Sequence, residues 1–144
     1  MLNGGYNNTV DDKGRLSFPA GLRNGFSGST LVITRGIDRC LWAYPEELWQ
    51  SFAEKWESAS PMLKDVRRMQ RHFLGWACEA EIDKSSRLAI PQSLREYASI
   101  TRNCTILGVG QRIEIWDADT YKLINEGEDD AGIALAAEQF AEMF

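Results

Sequence analysis

The chain repeats itself. A gapless pattern D-x-x-x-R-L-x-x-P-x-x-L-R occupies residues 11–23 and returns 72 positions later at residues 83–95. A second pair of anchors follows: Leu41-Trp42 and Ile115-Trp116 stand 74 apart, so the second copy carries two extra residues between its anchors. Self-similarity at a fixed spacing marks a duplicated supersecondary unit. A unit this short, built mostly of strands, buries too little surface to fold well alone. Two copies in one chain can complete each other's sheet. The expectation is an α+β fold in which interleaved hairpins form a two-fold-like β-barrel with flanking helices.

The rest of the composition is compatible with that plan. A chain of 144 residues, 44% hydrophobic and 10% aromatic, can bury a core and is not a disordered polyelectrolyte. No apolar run approaches the roughly 18 residues of a membrane span, so no membrane partner is expected. The opening Met1-Leu2-Asn3-Gly4-Gly5 has neither the basic head nor the apolar stretch of a secretory signal. Cys40, Cys78 and Cys104 are odd in number and lie in or beside apolar segments, a usage that suits reduced thiols in a cytoplasm.

Each copy is expected to follow one order. A strand at 6–10 leads into an Asp- and Gly-rich turn at 11–14, then a strand at 15–18. Pro19 is expected at the first position of a short helix. Strands at 30–34 and 40–43 pair across 35–39. A helix then opens at Pro45 with Glu46 and Glu47 in its first turn, where acid favours the helix dipole. Leu48, Phe52 and Trp56 give that helix one apolar stripe. The second copy repeats the order with strands at 76–82 and 87–90, a helix at 91–99, paired strands at 103–108 and 112–116, and a helix at 118–125.

Between and after the copies lie two connecting regions. Ser58-Ala59-Ser60-Pro61 reads as a linker, followed by a helix from Met62 to about Gly75 that carries Lys64, Arg67, Arg68 and Arg71. The acidic stretch Glu126-Gly127-Glu128-Asp129-Asp130 precedes a closing helix from Gly132, with Ile133, Ala137, Phe140 and Phe144 on one face. The chain therefore divides into a first repeat at 1–57, a linker and connecting helix at 58–75, a second repeat at 76–125, and an acidic linker with a C-terminal helix at 126–144.

A net charge of −5 argues at first sight against nucleic acid, but the charges are not evenly spread. Residues 1–39 carry five basic and three acidic groups, and residues 61–102 carry eight basic and five acidic ones. Residues 111–144 hold two basic and nine acidic groups. Basic charge thus gathers where the repeated pattern sits, and a local positive face can bind a polyanion although the whole chain is acidic. The alternative is that these are ordinary solvated surfaces. Lys13 and Arg15 are at i and i+2, so in an extended register they point the same way and can meet successive phosphates. Arg can also take the O6/N7 edge of guanine. Asp11 and Asp83 either hold these cations in register or simply form ion pairs that fix the hairpins, and both roles can coexist.

Other chemistry is thin. His72 is the only histidine and lies on an expected helix, where packing is the simpler role. No Cys-x-x-Cys pair or other metal-ligand spacing occurs. Gly108-x-Gly110 lacks a third glycine and a following helix, so it reads as a hairpin loop. Glu46-Glu47 and Asp129-Asp130 read as cap and linker acids. The five tryptophans sit in apolar contexts and read as core or interface anchors. No catalytic residue, metal, cofactor or small-molecule substrate is expected, and the reading is that the protein is no enzyme.

The chain resembles, over nearly its whole length, the MraZ family of tandem AbrB-like (SpoVT/AbrB, swapped-hairpin) regulators, most specifically at residues 10–16, 71–75, 82–98 and 107–116. The resemblance implies a cytoplasmic, nucleoid-associated protein that binds double-stranded DNA at promoter direct repeats of the division and cell-wall gene cluster. It also implies assembly into a ring-like homo-oligomer. The family's D-x-x-x-R signature falls on Asp11 and Arg15 and again on Asp83 and Arg87. The implied DNA contacts are then Lys13, Arg15, Arg87 and Lys84, supported by Asp11, Gly14 and Asp83.

The second copy departs from the first: Ser86 replaces Gly14 and Ser85 replaces Lys13. If the position needs a left-handed backbone, the serine costs about 1 kcal/mol. Lys84 restores a cation one position earlier, which in an extended register points to the opposite side. Arg87 is therefore expected to contribute less to DNA affinity than Arg15. Two other readings remain open from the residues alone, a ring-forming interaction scaffold and an RNA-binding module.

Overall fold

The computed structural model describes residues 1–125 and 130–144. Among them the first copy supplies β1 (Leu2–Thr9), β2 (Arg15–Ser17), α1 (Ala20–Arg23), β3 (Thr30–Arg35), β4 (Leu41–Pro45) and α2 (Glu46–Glu57). Helix α3 (Lys64–Phe73) follows. The second copy supplies β5 (Cys78–Glu81), β6 (Arg87–Ala89), α4 (Gln92–Tyr97), β7 (Asn103–Gly110), β8 (Ile113–Asp117) and α5 (Ala118–Asn125). Helix α6 (Asp130–Glu138) and a short 3₁₀ turn (Ala141–Met143) close the chain. The class is mixed α+β.

The copies are tied by strand exchange. The first strand of each copy pairs with the third strand of the other, β1 with β7 and β5 with β3, all antiparallel. Second strands pair with each other, as do fourth strands. In these two central ladders equivalent residues meet: Leu16 faces Leu88, and Leu41 faces Ile115. Their separations of 72 and 74 are the two repeat spacings in the sequence. A pseudo-two-fold axis therefore passes through both pairs.

The hydrogen-bonded ladders do not close into the expected barrel. Six strands run in the order β1-β7-β8-β4-β3-β5, leaving β1 and β5 as edges, while β2 and β6 form a separate two-stranded ladder. The reason lies in the turns. After one bridge each, Val10 to Leu16 and Ile82 to Leu88, both hairpins leave the main sheet, and β2 and β6 find each other instead.

The repeated leucines are core residues. Leu16 and Leu88 are fully buried, as are Leu22 and Leu94, with Leu31, Ile33, Leu41, Ile106, Ile113 and Ile115 around them. This explains why the pattern keeps Leu at fixed offsets, since apolar burial is the main favourable term in folding. A second cluster forms under α2 and α3. Phe73 stacks on Trp42 at 5.3 Å between ring centroids and meets Phe52 and Trp56 edge-on or tilted at 5.1 and 5.8 Å. Trp49, outside the expected Leu48–Phe52–Trp56 stripe, also meets Phe52 at 5.6 Å.

Several local expectations shift. β1 begins at Leu2 because it pairs with β7 along all eight of its residues. Pro19 and Pro91 stand just before their helices in extended geometry, and each carbonyl accepts from the N–H groups three and four residues on. The expected linker at 58–61 is a bend in a helical hairpin: Gln70 Nε2 donates to the Trp56 carbonyl at 2.8 Å. Gly108 is no loop residue but lies within β7, where a Cβ would stand 2.6 Å from the Asn3 nitrogen. α6 ends at Glu138, so Phe140 and Phe144 fall beyond it, and the stripe with Ile133 is exposed. Residues 126–129 of the acidic stretch lie outside the described residues.

Candidate nucleic-acid interface

One carboxylate builds each repeated turn. Asp11 Oδ1 accepts the backbone N–H groups of Lys13 at 3.0 Å and Arg15 at 2.9 Å, while Oδ2 accepts Arg15 Nε at 2.8 Å. Asp83 repeats the arrangement with the N–H groups of Ser85 at 2.8 Å and Arg87 at 3.0 Å, and Arg87 Nε stands 3.4 Å from Oδ2. An Asp that bonds its own downstream backbone fixes a turn in this way. The Arg15 N–H depresses the Asp11 carboxyl below its ordinary range against opposing desolvation, and the Arg87 N–H does the same for Asp83.

The turn requires a left-handed backbone at its last position, and both copies adopt it. Gly14 has φ +79° and Ser86 has φ +58°. The closing bonds match, Gly14 N to Asp11 O and Ser86 N to Asp83 O, each 3.0 Å. Serine thus bears the strain and the second turn keeps its shape. Each turn is also bonded to the opposite copy: Ile90 N donates to Gly14 O and Phe18 N to Ser86 O.

The two turns therefore stand side by side across the β2–β6 ladder. Arg87 Nη1 lies 3.8 Å from Asp11 Oδ2, linking the copies. The side chains of Arg15 and Arg87 are 31% and 34% exposed, so each arginine is held by carboxylate while a third of it faces solvent. Lys13 and Lys84 are exposed. Both occupy turn rather than extended backbone, so strand alternation does not fix their directions. The ion-pair reading of Asp11–Arg15 is a geometric fact, and it leaves guanidinium surface available.

One cation was not singled out in the sequence. Arg95 Nε donates to the Ile90 carbonyl at 2.9 Å, and its guanidinium lies over Gly14, where a Cβ would come within 2.7 Å of Cζ. The signal was present, because Leu94-Arg95 closes the repeated pattern. Its counterpart Arg23 lies 5.2 Å from the centroid of the Phe26 ring, so the copies differ here. His72 has a packing environment: Nε2 is 2.8 Å from the Gly36 carbonyl, between the rings of Phe73 and Tyr97.

A family profile described as "MraZ protein, putative antitoxin-like" matches the chain twice, at residues 1–72 and 73–140. The chain belongs to the MraZ family. The two MraZ matches begin 72 residues apart, the spacing of the repeated pattern, so each MraZ unit holds one Asp-anchored turn. No helix among the described residues is long and apolar enough to cross a membrane. Among the same residues no group of three or more His, Cys, Asp or Glu side chains is placed to hold a metal ion.

Proposed function

We propose that this MraZ-family protein is a sequence-specific DNA-binding transcriptional regulator, acting on promoter direct repeats through its two Asp-anchored turns. The observation that carries this reading is the adjacency of Arg15 and Arg87 across the β2–β6 ladder, each oriented by its own aspartate. Arginine held in a fixed direction with free N–H groups suits bidentate contact with phosphate or with the guanine edge. Lys13 and Lys84 add exposed charge for phosphates, and Arg95 places a further cation over the first turn. Several copies, arranged as a ring-like homo-oligomer, would raise avidity on repeated half-sites through effective concentration. Within this reading the strand-exchanged core is a swapped-hairpin AbrB-like unit, the four segments bounded at 57, 75 and 125 are its parts, and the protein acts in the cytoplasm on the nucleoid.

The decisive experiment is a mobility shift on the promoter DNA upstream of the protein's own gene at two salt concentrations. Binding that weakens steeply with salt and survives competition by unrelated duplex supports the reading. Structured RNA that competes better than promoter duplex favours an RNA-binding module. Absence of binding at both salts leaves a scaffold role.

A further inference from the structure

A groove opens between the β3–β4 connection and α3, with a volume of about 460 Å³. Ile37, Met69 and Tyr97 give it an apolar lining, and Arg39, Arg68 and His72 stand around them. Ile37 is 51% exposed although fully apolar. The connection is built under strain: Asp38 and Arg39 are consecutive non-glycine residues, both at φ +67°. Such residues persist only where their surroundings hold them, and they cluster at binding sites. Here the holding is visible. The Gly36 carbonyl accepts from Tyr97 Oη at 3.0 Å and lies 2.8 Å from His72 Nε2, while Arg39 stacks 5.5 Å from the centroid of the Tyr97 ring. Among the described residues Arg68 has one ion pair, a long 3.8 Å one with an almost fully exposed Asp65.

The complementary surface is at the other end of the chain. Residues 130–144 contain Asp130, Glu138 and Glu142 and no Lys, Arg or His. They also expose Ile133, Leu135, Phe140, Met143 and Phe144, all more than half accessible. Large apolar side chains gathered and exposed on one short segment suit an interaction surface. The groove is lined by Arg39 and Arg68 against one acid, Asp38, so it keeps a basic excess that matches the acidic tail.

We propose that the 130–144 segment of one copy docks in this groove of a second copy. Its apolar side chains cover Ile37, Met69 and Tyr97, and Glu138 and Glu142 meet Arg39 and Arg68. The contact is head-to-tail rather than self-complementary. It rests on the self-association named above and is independent of DNA binding.

The test uses two full-length variants and light scattering after size separation at micromolar concentration. One carries Phe140→Glu with Ile133→Glu, the other Arg39→Glu with Arg68→Glu. The wild type is expected to run at a multiple of 16.3 kDa and each variant at 16.3 kDa. Their equimolar mixture is expected to form a species of twice that mass, because one intact tail then meets one intact groove. If the arginine variant misfolds, Ile37→Asp at an exposed side chain replaces it. A wild type that is monomeric removes self-association and this contact together. A wild type that assembles while either variant assembles equally well, or while the mixture stays monomeric, overturns the contact alone. A lowered melting temperature with unchanged mass places the tail on its own chain and also overturns it.

Discussion

Arg87 of the second copy reaches to within 3.8 Å of Asp11 of the first, so Asp11 lies within ion-pair distance of both repeated arginines through Oδ2. Among the described residues Asp83 has one ion pair within 4 Å, with Arg87 at 3.4 Å, and feels the Arg15 charge from farther away. The pseudo-symmetry of the backbone is thus broken in the ion pairs. Asp11→Asn is expected to lower the melting temperature more than Asp83→Asn, because it disturbs both turns. Thermal melts of the two variants in one buffer make the comparison, and a larger loss from Asp83→Asn would contradict it.

Both aspartates are depressed below their ordinary value of 3.8 in the folded state. A depressed carboxyl contributes stability that is present above its unfolded value and is lost as pH falls through the folded one. Stability should therefore be flat in this contribution above about pH 5 and decline below it. The Asp11→Asn, Asp83→Asn double variant should show a shallower decline in that window. Chemical denaturation at a series of pH values tests the slope.

Gly14 and Ser86 adopt the same left-handed turn with different side-chain cost. Gly14→Ala adds strain and drives a Cβ to within 2.7 Å of the Arg95 guanidinium, so a loss of about 1–2 kcal/mol is expected. Ser86→Gly relieves strain and should gain up to about 1 kcal/mol, reduced by the added freedom of glycine in the unfolded chain. Equilibrium urea titration reads both. Equal and opposite signs from those stated would mean the turn relaxes on substitution.

In DNA titrations under one salt condition, Arg15→Ala should weaken binding by about 1–3 kcal/mol if Arg15 reads a base. Lys13→Ala should weaken binding on all sequences and reduce the salt slope by about one. Arg87→Ala should cost about 1 kcal/mol less than Arg15→Ala. The structure adds a reason for that ranking: Arg87 is shared between two aspartates, and Arg95 lies over the first turn. A folded, assembled Arg87→Ala protein with the larger loss would make the second turn the principal reader.

Burial pushes the Cys40 and Cys104 thiols up to about 12, with Glu114 and Asp38 adding to the rise at Cys40 and Asp117 at Cys104. The thiolate is the reactive form, so both should be inert in the native protein near pH 8. Cys78 is partly exposed. A colorimetric thiol assay should count one reactive cysteine in the folded protein and all three in denaturant.

The repeated pattern by itself determined the duplication, the α+β class and the placement of Asp11, Arg15, Asp83 and Arg87 on equivalent turns. It could do so because period-2 apolar patterning, turn chemistry and proline positions are local signals. The pattern also fixes Leu16, Leu22, Leu88 and Leu94 at equivalent offsets, and the structure shows that all four are buried. The expectation of interleaved copies named no particular strand partners. That β1 crosses to β7, that β2 and β6 pair with each other outside the main sheet, and that Arg87 faces Asp11 depend on backbone groups far apart in the chain finding one another. The same holds for Arg95 over Gly14, and for the C-terminal stripe placed on one helix face, which runs past the end of α6 and exposes Ile133, Phe140 and Phe144. Tertiary structure decided these, because hydrogen-bond register and burial belong to pairs of segments and no single segment specifies its partner.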